Sequence, residues 1–279
     1  MKTRILTNGF LAFLFVFAVT SCEKSDNNSL ESTTAEDDAY TSLIFDDIYA
    51  EVEDAMAYME DEIYGGMKKS AEVVTCKTIT VEQPNDSTFW PRTVTVDFGE
   101  GCTSLNGVVR SGKIITVVNG RYPQEGYTRT TTLDDFYVNG FKVEGVKTVV
   151  NEGANENENI FFTVSLSGGK ITSPEGVERT KQYERVREWV AGSETPRVRI
   201  DDEYLITGSA SGQNRKGEAY SNTIIEPLQA ALSCRWIKSG TVQIVKGETE
   251  ALLDYGEGEC DRFATVTIGD ESKVITLHR

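Results

Sequence analysis

Histidine is almost absent from this sequence, since the 279 residues include only one, His278. Ser-His-Asp and Cys-His catalysis need a histidine as general base, and histidine-rich metal sites need several. No G-x-G-x-x-G or G-x-x-x-x-G-K-[ST] motif occurs, so the chain has no glycine-rich loop to hold nucleotide phosphates. We therefore predict no cofactor and name no catalytic residue.

Basic residues are also few. The chain has 28 Lys and Arg against 44 Asp and Glu, which gives a net charge of −16. Proteins that bind nucleic acid draw much of their affinity from cations that neutralise phosphates. We therefore expect no nucleic-acid partner, and an acidic surface that keeps the protein soluble.

Long hydrophobic runs are limited to Phe10–Val19, about 10 residues, which is too short for a membrane-spanning helix. The run follows Lys2 and Arg4, as in a signal peptide. The next residues, Val19-Thr20-Ser21-Cys22, resemble the lipobox of bacterial lipoproteins. That resemblance implies that residues 1–21 are removed and that Cys22 is lipidated. The expected membrane partner is then reached through palmitate-type acyl chains on Cys22.

Residues 22–39 are polar and acidic, a composition typical of a disordered tether. The stretch Cys22-Glu23-Lys24-Ser25-Asp26 resembles the acidic export signals on surface lipoproteins of Bacteroidota. Asn27 and Asn28 depart from that pattern. The predicted location is therefore the outer membrane of the cell envelope, on either the surface or the periplasmic side.

Residues 40–66 are predicted to form one amphipathic helix. Tyr40, Ile44, Ile48 and Val52 recur at helical spacing, and Gly65-Gly66 ends the pattern. The other face carries acids, namely Asp46, Asp47, Glu51, Glu53 and Asp54. Because this polar face is acidic, packing on the rest of the protein is favoured over lying on a membrane.

Residues 72–279 are predicted to form a single all-β domain. Apolar residues alternate with polar ones at a period of two, as in Ile160–Leu166, and Asn-Gly pairs such as Asn139-Gly140 mark tight hairpins. About 10–14 short strands with such turns indicate an antiparallel meander, a sandwich or an open barrel. Residues 180–191 also fit a helix, although a strand is favoured.

Apart from Cys22, the sequence has four cysteines, and an even number in an exported chain predicts disulfides. Cys76 and Cys102 lie 26 residues apart, and so do Cys234 and Cys260. We therefore predict these two pairs. A structural zinc site is the alternative, but neither pair has the short C-x₂₋₄-C spacing of such sites.

Each second cysteine follows a similar turn: Val96-Asp-Phe-Gly-Glu-Gly-Cys102 and Leu253-Asp-Tyr-Gly-Glu-Gly-Glu-Cys260. The similarity predicts a duplicated disulfide-bonded hairpin at the two ends of the β domain. The block from Cys234 to Leu277, with the DYGEGxCD motif, resembles uncharacterised cell-envelope lipoproteins of Bacteroidota. That resemblance implies a location and an architecture, and no activity.

The acidic residues offer two kinds of candidate site, a glycosidase site and a calcium site. Asp134-Asp135 and Asp201-Asp202 offer carboxylates to a glycosidase, but neighbours on a strand face opposite ways. Weak calcium candidates cluster near the second hairpin, and the alternative is a solvated turn; they are Asp254, Glu257, Glu259 and Asp261.

Three tryptophans, Trp90, Trp189 and Trp236, are able to stack on sugar rings, although core packing is the commoner use of such residues. The leading hypothesis is a non-catalytic lipoprotein that binds a glycan or protein ligand, or an adhesin. The alternatives are a carbohydrate-active enzyme that uses Asp and Glu, and a structural envelope or pilus subunit.

Overall fold

The computed structural model describes residues 26–64, 76–84, 88–195 and 198–277. One long helix, α1 (Asp26–Tyr64), precedes all the strands. The signal segment 1–21, the lipidation residue Cys22 and His278 lie outside the described residues, so their predictions stay predictions. Among the described residues, no helix combines the length and apolar character needed to cross a membrane.

Fourteen β-strands follow α1. In chain order they are β1 (Thr78–Glu82), β2 (Arg92–Asp97), β3 (Cys102–Thr103), β4 (Val109–Val118), β5 (Thr128–Val138), β6 (Phe141–Ala154), β7 (Ile160–Thr172), β8 (Glu178–Ala191), β9 (Glu203–Gln213), β10 (Ala219–Ala231), β11 (Ser239–Lys246), β12 (Thr249–Glu257), β13 (Phe263–Ile268) and β14 (Glu271–Thr276). Residues 180–191 are therefore in a strand, as favoured.

The strands form one antiparallel sheet in a meander. Apart from the short β3, which pairs with β4, each strand pairs with its neighbours in chain order. β1 and β14 are the two edges, so the sheet is open. The antiparallel meander among the predicted folds is thereby confirmed. The Asn139-Gly140 turn has positive φ angles of 50° and 82°, as the tight hairpin between β5 and β6 requires.

The sheet bends at a series of bulges. The register shifts between Glu144 and Val146 on β6 and between Leu166 and Gly169 on β7. Gly145 and Gly169 meet there, since a Cβ on Gly145 would lie 3.0 Å from the Gly169 Cα. Bulges bend a strand and increase its twist, which lets the sheet curve.

The curved sheet holds α1 on its concave side. The helix contacts β1, β2 and β4 near one edge, β8 in the middle, and β12 and β13 near the other edge. One core joins residues from Ile44 to Met59 of the helix with β2–β9. A second core joins Ala35, Ala39 and Leu43 with β10–β14. The helix therefore completes both cores, and we expect the helix and the sheet to fold together.

The helix is longer than predicted, which corrects the boundary of the tether. It covers most of residues 22–39, and Ala35 and Ala39 are at most 2 % exposed. Asp37 and Asp38, assigned to the tether because they are charged, are also buried. The small residues of this segment pack against the sheet. Its aspartates are buried as well, because cations of the sheet and its turns pair with their carboxylates.

The acidic face of α1 also packs against the sheet at its central residues. Asp47 is 4 % exposed. It accepts hydrogen bonds of 3.0 Å from Nε and 2.7 Å from Nη2 of Arg110. Further buried or half-buried ion pairs link the helix to the sheet and its flanking segments, among them Asp37–Arg179, Asp37–Arg215, Asp38–Lys181, Glu51–Lys77 and Glu53–Arg129.

Both predicted disulfides are present. The Cα atoms are 5.3 Å apart in Cys76–Cys102 and 5.7 Å apart in Cys234–Cys260, within the usual range. Each disulfide joins the segment before a β-hairpin to the segment after it. The hairpin is β1–β2 in one copy and β11–β12 in the other.

The two hairpins also share a hydrogen bond near the end of their second strand. The backbone N–H of Gly99 donates a 2.8 Å hydrogen bond to Oδ1 of Asp97, and Gly256 does the same with Asp254. Equivalent residues of the two sequence copies therefore adopt the same local hydrogen bond, near opposite edges of the sheet.

Candidate functional site

A cavity of about 680 Å³ lies between α1 and the concave face of the sheet, and we call it the α1 cavity. Its volume falls within the range of roughly 300–1,000 Å³ that is usual for small-molecule sites. Helix α1 forms one side, β6–β9 form the floor, and segment 230–237, which links β10 to β11, forms the far wall.

Part of the lining is apolar. Leu43, Val164, Ile206, Trp236 and Ile237 contribute side chains from the helix, the floor and the far wall. Two more lining residues, Ile200 and Leu232, are 71 % and 39 % exposed. They lie where the cavity meets solvent, so the entrance as well as the interior has apolar surface.

Glu53 occupies one end of the α1 cavity and pairs with two arginines. Its Oε1 lies 2.7 Å from Arg129 Nη1, and Oε2 accepts a hydrogen bond from Arg199. Burial alone would raise the pKa of Glu53, but the charges of Arg129, Arg199 and Arg187 outweigh it and lower the pKa to about 2. Glu53 is therefore ionised and bound to cations, which makes it a structural anchor.

Arg187 is held by aromatic residues. Its guanidinium donates hydrogen bonds to the hydroxyl groups of Tyr49 and Tyr122. It also lies 4.5 Å from the ring centroid of Tyr204 and 5.3 Å from that of Phe162. These contacts hold Arg187 in place without a carboxylate partner of its own, although its Nε has no hydrogen-bond partner.

Lys147 and Arg185 are the two remaining cations of the cavity floor. Lys147 Nζ lies 4.4 Å from the ring centroid of Tyr49, and the Arg185 guanidinium lies 4.5 Å from that of Tyr183. Burial lowers the pKa of Lys147; Asp46 opposes this, while Arg187, Arg129 and Arg185 add to it, and the pKa is about 7. A lysine in this environment changes charge near neutral pH.

A smaller cavity of about 160 Å³ lies beyond Glu53, toward the C-terminal end of α1. Asp202 lines it and accepts a 3.2 Å hydrogen bond from the indole N–H of Trp189. Burial raises the pKa of Asp202 to about 6, in spite of that hydrogen bond and the charge of Arg199. The volume of this smaller cavity is below the range usual for ligand sites.

The predicted carboxylate pairs separate in the structure. Asp134 and Asp135 are exposed at a bulge in β5, where Asp135 has a φ of 44°. Asp201 is exposed and accepts a hydrogen bond from Thr195, while Asp202 is buried. Neither pair places two carboxylates across one cavity, because Asp134 and Asp135 both face solvent and only Asp202 of the other pair is buried.

The four calcium candidates do not form a ligand cluster. Asp254, Glu257, Glu259 and Asp261 are all exposed, and no group of three or more acids, cysteines or histidines able to hold a metal is found in the described ranges. Oδ1 of Asp254 accepts the backbone N–H of Gly256, and Oδ1 of Asp261 accepts that of Phe263. These two side chains therefore bond to their own local backbone.

The three tryptophans have different positions. Trp189 is 2 % exposed and belongs to the core, as the commoner reading expects. Trp90 is half-buried beside Arg92, whose guanidinium lies 5.9 Å from its ring centroid. Trp236 lines the α1 cavity in the far wall, two residues after Cys234, whose bond to Cys260 ties this wall to the second hairpin. Only Trp236 is therefore placed to contact a ligand there.

No motif in the sequence marks Lys147, Arg185 or Glu53 as site residues. One signal was present: Lys181, Arg185 and Arg187 share one face of β8, because they are separated by even numbers of residues. Comparison of the chain with protein families, curated proteins and solved structures finds no match.

Proposed function

We propose that this protein is a cell-envelope lipoprotein, anchored through Cys22, that binds a small ligand in the α1 cavity and does not transform it. The α1 cavity is the observation that carries the proposal. It combines the size of a ligand site with apolar walls and a few polar groups that converge on one space.

Two features support the location. The segment Val19-Thr20-Ser21-Cys22 resembles a lipobox, and the mature chain has two disulfides. Disulfides persist in oxidising compartments such as the bacterial periplasm and the cell surface. The anchor holds the domain at a membrane, which suits a receptor or carrier of small molecules.

Binding is best tested with residues 26–279, which include the whole helix and sheet. Anilinonaphthalene sulfonate, a dye that fluoresces in apolar sites, is expected to bind with a saturating one-to-one curve. In Ala50→Trp, a new ring enters the α1 cavity from the helix and should abolish the binding. Tyr58→Trp is the control, because Tyr58 is 45 % exposed on the same helix and does not line the cavity.

Unchanged dye binding in Ala50→Trp would place the binding elsewhere and overturn the proposed site. A well-folded Ala50→Trp protein is required for the comparison, and its circular dichroism spectrum should match that of Tyr58→Trp. Ala50 is already exposed, so we expect the substitution to leave the core intact.

A carbohydrate-active enzyme is the second candidate, and Asp202 is the observation that favours it. Its pKa of about 6 is suited to a general acid near neutral pH, and ionised Glu53 lines the same small cavity. Turnover of a glycan by residues 26–279 that is lost in Asp202→Asn would support the enzyme over the binding protein.

A further inference from the structure

We infer that the α1 cavity takes an anionic amphiphile, with its acidic head between Lys147 and Arg185 and its apolar part along Leu43, Ile206 and Trp236. This inference rests on the proposed function and names the chemical class of its ligand. A fatty acid and an alkyl phosphate share this chemistry: one anionic group on an apolar chain.

The charge of the cavity differs from that of the protein. The chain has a net charge of −16, yet the cavity is lined by five cationic side chains and three carboxylates. The cations are Lys147, Arg185, Arg187, Arg199 and Arg235, and the carboxylates are Asp46, Glu53 and Asp54. A cationic interior in an acidic protein favours an anionic ligand over a neutral or cationic one.

Lys147 and Arg185 differ from the other cations that face α1. Arg110, Lys181 and Arg199 each form an ion pair with a helix carboxylate. In the described part of the chain, Lys147, Arg185 and Arg187 form none, and the Nε atoms of both arginines are buried without a hydrogen-bond partner. Arg187 donates to two tyrosine hydroxyl groups, which leaves Lys147 and Arg185 as the cations open to a ligand. Since a buried cation without a partner is costly, an anion bound between them supplies the missing charge.

The burial of Lys147 agrees with this assignment. Surrounding arginines and the loss of water lower its pKa, whereas an anion beside it would favour the charged amine. The cavity floor is thus arranged so that a negative ligand restores the charge of the lysine.

The apolar part of the ligand has a continuous path. Leu43, Ile206, Trp236 and Ile237 line the interior, and Ile200 and Leu232 bring apolar surface to the entrance. Inorganic phosphate would leave this surface unfilled, and a sugar would bring hydroxyl groups to it without neutralising the two cations. An apolar chain that ends in an anion matches both parts of the lining.

The test compares single-chain probes below their micelle concentrations, by calorimetry on residues 26–279: dodecanoate, dodecyl phosphate, dodecanol and dodecyltrimethylammonium. We expect at least one anion to bind more than roughly tenfold tighter than the alcohol, and the cation to bind weakest. Preference for the phosphate or for the carboxylate then distinguishes a phosphorylated ligand from a fatty acid.

Two substitutions locate the head group. Lys147→Met and Arg185→Met should each reduce the affinity for the anion toward that for dodecanol, and leave dodecanol binding unchanged. Lys142→Met is the control, since Lys142 lies on the same strand and pairs at the surface with Asp135. A general loss of fold would weaken dodecanol binding as well.

The outcomes separate this inference from the proposed function. If dodecanol binds as tightly as the anions and Ala50→Trp blocks it, the cavity is a ligand site but the anionic class is wrong. If neither the dye nor any probe binds, the proposed function itself fails. Anion binding that survives both Lys147→Met and Arg185→Met would also overturn the inference.

Discussion

Lys181 Nζ lies 2.6 Å from Oδ1 of Asp38, with both side chains at most 4 % exposed, although the residues are 143 positions apart. Lys181 also donates a 2.6 Å hydrogen bond to Ser42 Oγ, and Asn222 donates a 2.9 Å bond to Oδ1 of Asp38. This buried pair joins the N-terminal half of α1 to the middle of the sheet.

Lys181→Met should destabilise the protein by about 3–5 kcal/mol, because it leaves the Asp38 carboxylate buried without its cation. Urea denaturation measures the change. Lys273→Met is the control, because the Lys273–Glu36 pair joins the same helix to β14 at the surface, and its loss should cost at most about 1 kcal/mol. Equal costs for the two variants would show that burial of the Lys181 pair is unimportant.

Loss of the second disulfide should loosen the wall of the α1 cavity. Cys234 lies in segment 230–237, so Cys234→Ser/Cys260→Ser should speed amide hydrogen exchange in this segment. The Cys76–Cys102 bond closes a loop of the same length at the other edge of the sheet, so Cys76→Ser/Cys102→Ser should cost a similar stability, about 3–4 kcal/mol. Its exchange in segment 230–237 should stay slow under native conditions, and faster exchange there in both variants would contradict the prediction.

Asp202→Asn should stabilise the protein at neutral pH by about 1–3 kcal/mol. The pKa of Asp202 is raised to about 6 in the fold, so the fold favours the protonated acid. The stabilisation that comes from the protonated acid is complete below about pH 4 and is lost as the pH rises through 6. Asparagine stays neutral throughout this range. Thermal unfolding between pH 4 and 8 measures the difference, which should vanish at the acid end. Asp201→Asn, at the exposed neighbouring position, should show no such trend.

The affinity for an anionic amphiphile should fall as the pH rises above 7, by up to about tenfold per pH unit. Lys147 has a pKa of about 7, and anion binding favours its charged form, so binding above that pH requires a proton. The groups that face Lys147 are Asp46 and Tyr49 on α1, Arg129 on β5, and Arg185 and Arg187 on β8. Calorimetry across pH 6–9 measures the slope, and Lys147→Met should remove it. A slope that persists in that variant would assign the proton to another group.

Cys22→Ala should abolish attachment to the membrane. The lipobox resemblance makes the cysteine sulfur the site of acylation, and the sequence has no segment of about 20 apolar residues that would anchor the chain instead. Cell fractionation and labelling with palmitate give the measurement. Incorporation of label into the variant would contradict the prediction.

The strands and disulfides could be predicted because their signals are local in the sequence. Alternation at a period of two indicated strands such as β7, and Asn139-Gly140 marked a hairpin that the structure contains. The equal cysteine spacings, together with the repeated Asp-[Phe/Tyr]-Gly-Glu-Gly turn, identified both disulfides. In a meander each strand pairs with the next, so local patterns already describe most of the sheet.

The start of the helix could not be predicted from its own residues. Asp37 and Asp38 have the composition of a solvated tether. They become buried only because Arg179 and Lys181 of β8 and Arg215 of the β9–β10 turn reach them. A sequence window around residue 37 contains none of these partners. Burial of a charge depends on its compensation, which is a property of the tertiary structure.

By itself, the sequence determined an acidic chain with a lipobox-like segment, a meander of strands and two disulfide-bonded hairpins, since these follow from composition, period and spacing. Only the tertiary structure decided that α1 lies within the curved sheet and that a cavity remains beside it. It also decided which cations form an ion pair with a helix carboxylate, as Lys181 does, and which do not, as with Lys147. The physical reason is that pairing of charges depends on distances between elements, whereas strand and turn formation depend on neighbouring residues.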